Sequence, residues 1–428
     1  QFIPVDAAED KDENKELVNQ LSNICGHVKR TAWKNNIMKE LQEKFYDREF
    51  MNKLDANPRL MGFKNGVVDF DKKVFRQGQP EDYLSMCAGC AYTPLSELTS
   101  PAEIDLINEV KTFITELFPN KSLCEYMWDH LASILIGNNI NNVFNIYTGT
   151  GANGKSAMVD LLTVCLADYK GVVPLTLVTQ KRTSIGSTTP EIAQLKGVRF
   201  AVMQESSKGD KLNEGILKEL TGGDDLQARA LYRDSVTFRP QFKLCVCTNT
   251  LFDISAMDDG TWRRIHVNPF ESKFHPDPYN NEKKFPVKEY PHQFKVVKRL
   301  DNKFPKWAPI LMAILVDRAY TTDGHVGSCE LVESHCEKYR MSQDYLMEFV
   351  TECVRETEGD RLTKTDAKEE FKRWYQDTHG KPPPSIRELT EYMDKKYGKY
   401  QKGGWRNIGI VYDDDEDDFI STDVDCVV

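Results

Sequence analysis

The chain has 428 residues and is acidic, with 66 Asp and Glu against 56 Lys and Arg and a net charge of −10. That length suits two to four domains. The charge argues against a protein that coats duplex DNA over a broad surface, because such proteins are basic; nucleic-acid contact is expected only in a small basic patch or a narrow channel. No apolar run suffices to span a bilayer, and the best, Trp307 to Val316, is interrupted by Pro309. The N-terminus is too acidic and polar for a signal peptide. The 11 cysteines suggest no disulfide framework, which points to a reducing compartment. Cys87 and Cys90 form a CxxC with no second pair at zinc-site distance, so zinc is not expected. The chain starts at Gln1, which raises the expectation of a longer parent polypeptide.

Taken in order, residues 1 to about 14 are charged and expected to be mobile. Leu17, Leu21, Ile24 and Val28, then Ile37, Leu41, Phe45 and Phe50, give helical spacing up to Pro58. Asn65-Gly66 between Phe63 and Val67 predicts a type I′ hairpin, and the run Tyr83 to Tyr92 predicts another strand. These elements are expected to form a small α+β domain over residues 1–98. Ser100-Pro101 opens a helix that Pro119-Asn120 stops, and a second helix is expected from Ser122 to Ile136.

The stretch Phe144 to Ser156, FNIYTGTGANGKS, then reads as a strand, a glycine-rich turn and a helix start. Gly149, Thr150, Gly151, Ala152, Asn153, Gly154, Lys155 and Ser156 fit G-x-x-x-x-G-K-[ST], the loop that cradles phosphates. Glycines let backbone N–H groups approach phosphate oxygens, and the helix N-terminus adds its positive end. Lys155 would reach the β/γ-phosphates and the Ser156 hydroxyl would ligate Mg2+.

Further on, VRFAVMQES reads as a buried strand over Val198 to Met203 that ends on Gln204 and Glu205. A carboxylate there is placed to activate water or hold Mg2+. Asn213 to Thr221 is a helix closed by Gly222-Gly223. Leu226 to Arg239 predicts a hairpin with Tyr232 and Arg233 at its tip and Lys218, Arg229 and Arg239 nearby, a set suited to gripping single-stranded nucleic acid. Phe242 to Thr248 predicts a central strand ending on Asn249, an amide able to position an attacking water. Arg263 and Arg264 follow a flexible Asp-Gly, where an arginine at a subunit edge can reach a neighbour's γ-phosphate.

The order of these features resembles the superfamily-3 helicases of DNA viruses and mobile elements. It is most similar to the poxvirus-type and phage-type primase-helicases of large DNA viruses, in their helicase part. The residues that carry the resemblance are GTGANGKS, RFAVMQES, ILKELTGGDDLQARALY, FKLCVCTN and DDGTWRRI, between Gly149 and Ile265. The resemblance implies an α/β fold with an AAA+-like P-loop ATPase core. It implies a homohexameric ring that uses ATP and Mg2+ to translocate 3′-to-5′ on single-stranded DNA. Carried onto this chain, Glu205 activates water, Asn249 senses the γ-phosphate, Arg263 or Arg264 is the finger on the next subunit, and Lys218 to Arg239 meets DNA. Many relatives carry two acids at the end of the strand where this chain has Gln204-Glu205. A primase part is expected upstream of Gln1, if at all, since no polymerase-like carboxylate cluster occurs here; it or other replication proteins are the expected partners, at an intracellular viral replication site, cytoplasmic or nuclear.

Residues 271 to 306 are polar and Pro-rich and read as a surface linker. Trp307 to Tyr320 reads as an amphipathic helix. Three helices and a terminal strand pair after Ser334 suggest a winged-helix-like module, as the family often carries. The expected domains are thus 1–98, 99–327, 328–412 and an acidic tail, 413–428, read as solubilising. Two other functions fit a phosphate loop: a loading or scaffold ATPase without unwinding, and a small-molecule kinase, for which the Arg-rich hairpin and Trp-Arg-Arg would have little use.

Overall fold

The computed structural model describes residues 11–180, 188–204, 209–254, 258–380, 383 and 386–411. Glu205 and the acidic tail from Asp413 lie outside the described residues. The chain divides into two units, residues 1–54 and 55–428.

The first unit holds helices α1 (Lys11–Val28), α2 (Thr31–Lys44) and α3 (Phe50–Lys53). The expected apolar spacing is present, and His27 stacks on Trp33 with ring centroids 5.4 Å apart.

The second unit starts with a meander of β1 (Leu60–Phe63), β2 (Gly66–Asp69) and β3 (Val74–Arg76). Phe63 pairs with Gly66, so the turn residues are Lys64 and Asn65. Neither has positive φ, so the turn is not the expected type I′, which needs φ > 0 at both positions. Asn65 serves another end: its amide exchanges two 2.8 Å hydrogen bonds with the Tyr92 main chain. The expected strand over Tyr83 to Tyr92 is also absent. That segment is irregular, because its main chain is used singly, Ala88 N–H on Gly62 O and Gly89 N–H on Cys165 O. Nor does a unit boundary fall near residue 98. Met61, Phe63, Val68 and Phe70 pack in the same core as Leu161, Leu162 and Leu311. The buried Arg199 guanidinium donates to the carbonyls of Asn57, Pro58 and Leu60.

Helices α4 (Pro101–Leu117) and α5 (Lys121–Ser133) follow, the first closed by a Ser100–Glu103 capping box and the second by Asn120. Next come β4 (Phe144–Thr148), α6 (Lys155–Leu166), β5 (Lys170–Val172), α7 (Thr176–Thr179), α8 (Pro190–Ala193), β6 (Phe200–Gln204) and α9 (Glu214–Thr221). The hairpin β7 (Leu226–Arg229) and β8 (Ser235–Phe238) precedes β9 (Lys243–Thr248), α10 (Asp259–Trp262) and β10 (Ile265–Pro269). Five of these strands form one all-parallel sheet in the order β10-β4-β9-β6-β5. Successive residues point to opposite faces, and both faces are buried. Phe144, Ile146, Leu244 and Val246 enter one core, while Tyr147, Cys245, Phe200 and Val202 enter the other.

Residues 271–306 are more than the expected linker. Short parallel strands β11 (Lys273–His275) and β12 (Gln293–Lys295) pair within it. The buried Gln293 side chain organises the loop between them. It donates to the carbonyls of Phe285 and Tyr290 and accepts from Tyr279 N–H. Helix α11 (Phe304–Thr322) covers the sheet helices, and α12 (Glu330–Gln343) lies against β10. The three expected C-terminal helices are present as α13 (Tyr345–Cys353), α14 (Lys364–His379) and α15 (Ile386–Tyr397), but the strand pair is not the expected terminal hairpin: β13 (Val354–Leu362), between α13 and α14, pairs antiparallel with β14 (Trp405–Ile410). They enclose a core of their own around Phe349, Phe371, Trp374 and Met393. No helix among the described residues is long and apolar enough to cross a membrane.

Candidate functional site

In parallel α/β sheets, ligands bind beyond the C-terminal ends of strands whose outgoing connections run to opposite sides. Strands β4 and β9 are such a pair. The chain leaves β4 for β5 at one edge, and leaves β9 for β10 at the other. The Gly149–Ser156 loop follows β4, and Asn249 follows β9, with Thr148 and Thr248 in register.

The loop's glycines are required where they stand. A Cβ on Gly149 would lie 1.9 Å from Asn153 Nδ2, and one on Gly154, at φ +84°, would lie 2.2 Å from Leu117 Cδ2. Lys155 opens α6 and is buried, at 8% exposure. Its Nζ donates to Gly149 O at 3.1 Å, Asn153 Oδ1 at 3.3 Å and Asn249 Oδ1 at 2.9 Å. Burial lowers its pKa, and nearby Lys273 adds to the effect. A cation held only by neutral oxygens is available to an anion that displaces them. Ser156 is exposed at the first turn of the same helix, placed to ligate a metal. Asn153 Nδ2 is buried without a hydrogen-bond partner.

One element of the site was invisible in the sequence. Phe270 to Phe274 runs beside the Gly149–Ser156 loop, with Phe270 N–H on Thr148 O and Phe274 N–H on Ala152 O. Lys273 Nζ donates to Gly151 O at 2.8 Å and sits 5.3 Å from the Phe285 and Tyr290 ring centroids. These residues lie in the stretch read as a linker, where no periodic pattern or motif marks them. Beside this strap a cavity of about 780 Å3 opens between α4 and Phe274, Val297, Leu300 and Trp307, with Ala152, Gly154 and Ala157 of the loop as its wall. That volume suits a small organic ligand, for which about 300–1,000 Å3 is usual.

Glu205 lies outside the described residues. Gln204, just before it, ends β6, which borders β9. Among the described residues no group of three His, Cys, Asp or Glu side chains gathers to hold a metal ion.

The remaining predicted residues are elsewhere. Arg263 and Arg264 precede β10, whose first residue Ile265 pairs with Phe144 at the N-terminal start of β4. They are thus at the opposite edge of the sheet from the loop, roughly 20 Å away at strand rise. Arg263 is exposed. Arg264 is tied inward, its Nη1 on Gly260 O at 2.5 Å and its Nε buried without a partner. On the hairpin, Tyr232 is fully exposed at φ +58°. Arg229, Arg233 and Arg239 are exposed too, and Arg229 Nε donates to Arg233 O. Lys218 is engaged instead by Asp258, at 2.9 Å, a contact that joins α9 to the cap of α10.

Residues 4–119 match the family described as D5 N terminal like, and residues 147–264 match a family of unknown function, DUF5906. A "Putative helicase" of Acanthamoeba polyphaga mimivirus is 32% identical over 403 residues, 92% of this chain and 41% of that protein. A "Putative helicase" of Frog virus 3 (isolate Goorha) is 26% identical, covering 92% of this chain and 47% of that protein. A "Putative primase" of African swine fever virus is 26% identical, covering 80% and 36%. Over most of its length the chain is thus similar to proteins named "Putative helicase" and "Putative primase" in large DNA viruses, and it spans less than half the length of these relatives. The solved apo structure of the NrS-1 C-terminal region is 14% identical, with a TM-score of 0.40 over 72% of this chain and 75% of that one.

Proposed function

We propose that this chain is the ATP-driven helicase part of a viral replication protein, an AAA+-like P-loop ATPase that assembles as a homohexameric ring and moves 3′-to-5′ on single-stranded DNA. The observation that carries the reading is the convergence of Lys155 and Asn249 at the C-terminal edge of β4 and β9. In this reading ATP lays its phosphates on Gly149–Ser156, with Lys155 on the β/γ-phosphates and its nucleoside toward the α4 cavity. Bound Mg2+ would neutralise phosphate charge, with Ser156 as ligand and Glu205 completing its surroundings or activating water. Asn249 positions that water beside the γ-phosphate.

Arg263 cannot serve its own protomer's loop from the far edge of the sheet, so the finger acts on the next subunit. Of the two arginines, the exposed Arg263 is the one we assign. Tyr232 and Arg233 grip single-stranded DNA at the hairpin tip. Residues 99–327 form the motor and 328–412 a winged-helix-like module. A primase part or other replication proteins are its partners, at an intracellular viral replication site.

The test is ATP hydrolysis with and without single-stranded DNA, measured beside fork unwinding and the particle mass with nucleotide present. DNA-stimulated hydrolysis, strand separation and a six-fold mass support the reading. Hydrolysis without strand separation indicates a loader, and phosphoryl transfer to a small acceptor indicates a kinase.

A further inference from the structure

The residues 395–406, KKYGKYQKGGWR, carry five Lys and Arg and no acid, in a chain where acids outnumber bases. They form the end of α15 and the turn into β14. The turn is tightly built. Asp394 Oδ1 accepts from Tyr400 N–H and from Trp405 Nε1, each at 2.9 Å, and the Tyr400 and Trp405 rings meet edge to face, 5.1 Å apart. Across the strand pair, Arg406 stands directly opposite Arg361, and both are exposed. Arg361 Nη1 is pinned to Lys402 O at 3.2 Å, and Lys364 Nζ lies 4.4 Å over the Tyr400 ring. Arg361, Lys364, Lys399, Lys402 and Arg406 therefore surround one turn, and among the described residues none of them forms an ion pair.

Like charges placed directly opposite on a strand pair destabilise it. Here the pairing is kept, and the surrounding turn adds further cations rather than acids. A row of phosphates offsets this repulsion, and a turn whose backbone is already fixed by Asp394, Tyr400 and Trp405 leaves only the exposed Lys and Arg side chains to be ordered when the anion arrives. We propose that this turn of the C-terminal module binds the sugar–phosphate backbone of nucleic acid, as a contact separate from the Tyr232–Arg233 hairpin. Main-chain and Lys/Arg contacts to phosphate fix position without reading sequence, so the contact is indifferent to base sequence. It stands independently of the ATPase reading.

The test uses the full chain and the double variant Lys399→Gln/Lys402→Gln. Fluorescence anisotropy follows binding to a blunt duplex of ~20 base pairs and to a single strand of equal length, from 50 to 200 mM salt. Each phosphate contact contributes a slope of about 0.9 in log affinity against log salt on duplex and about 0.7 on a single strand. Loss of two contacts should therefore lower the salt sensitivity over this fourfold range by roughly tenfold on the strand form the turn engages. Basal ATP hydrolysis and thermal melting should not change. A shallower slope in either arm supports the proposal and identifies the strand form. Unchanged slopes in both arms overturn it, as does binding by this turn to an acidic peptide such as DDDEDD with no variant-sensitive binding to either DNA.

Discussion

Lys155 and Asn249 are 94 residues apart in the chain, and their side chains meet at 2.9 Å above two adjacent parallel strands. Neither residue type is diagnostic alone. Together they place a buried cation and an amide at one point, where the proposed ATPase needs a partner for the terminal phosphate and one for the attacking water.

Lys155→Ala should lower kcat/KM for ATP by about 100-fold or more, the scale of losing a preorganised donor to developing charge. The fold should survive, since Lys155 bonds only neutral oxygens, one of them on the exposed Asn249, and no buried charge is left unpaired. Steady-state hydrolysis and far-UV circular dichroism check this. Retained hydrolysis would move the nucleotide site elsewhere.

Arg263→Ala should cut hydrolysis by about 1,000-fold, as for loss of a finger arginine, without loss of nucleotide binding. Mixing it with Lys155→Ala protomers should restore part of the activity, because each variant supplies what its neighbour lacks. Absence of complementation would argue for action within one subunit. Arg264→Ala should instead lower the melting temperature, since Arg264 is bonded to Gly260 O inside its own chain.

Tyr232→Ala should weaken single-strand binding by about 1–3 kcal/mol, the value of one stacked base, and Arg233→Ala should weaken it further at low salt. Basal hydrolysis should stay the same, while stimulation by DNA falls. Anisotropy titration with oligothymidine reads the first effect. Unchanged affinity would remove the hairpin from the contact set.

Stability should fall as pH drops from about 6.5 toward 4. His130 Nε2 is 2.6 Å from the Tyr147 hydroxyl and is wholly buried; His266 Nδ1 is 2.7 Å from the Tyr126 hydroxyl. Burial lowers their pKa values to about 3 and about 4, against 6.5 for a free imidazole. Each therefore stays neutral in the folded state while the unfolded state takes up a proton. The stability is fully present above pH 6.5 and is lost as pH falls below it. The loss at pH 5 is roughly 2 kcal/mol per histidine. Urea midpoints at pH 7.5 and pH 5 measure it, and His266→Gln should flatten the dependence. An equally steep curve in that variant would assign the effect to other groups.

Much of the site was legible in the residues. The glycine-rich loop after β4, the strand ending before Asn249 and the exposed hairpin tip each follow from local chemistry: glycine where φ is positive, a continuous apolar run for a strand buried on both faces, an aromatic and an arginine at a turn. The strap that holds the loop was not legible. Lys273 and Phe274 bond to Gly151 and Ala152, about 120 residues away, and a contact at that separation leaves no periodic trace. The same holds for Arg199, whose bonds to the main chain of residues 57–60 bind the β1–β3 meander to the sheet and move the unit boundary to residue 54.

By itself, the sequence determined most of the helices, the central strands β4, β6 and β9 and the glycine-rich turn after β4, because their backbone conformation is set by neighbours a few residues away; it did not give β11, β12 or β13, and the strand expected over Tyr83 to Tyr92 did not form. Only the tertiary structure decided which strand ends lie side by side, that Lys218 is taken up by Asp258, and that Arg263 rather than Arg264 faces outward. Those outcomes depend on packing between distant segments, where burial and the search for hydrogen-bond partners, rather than local propensity, select one arrangement.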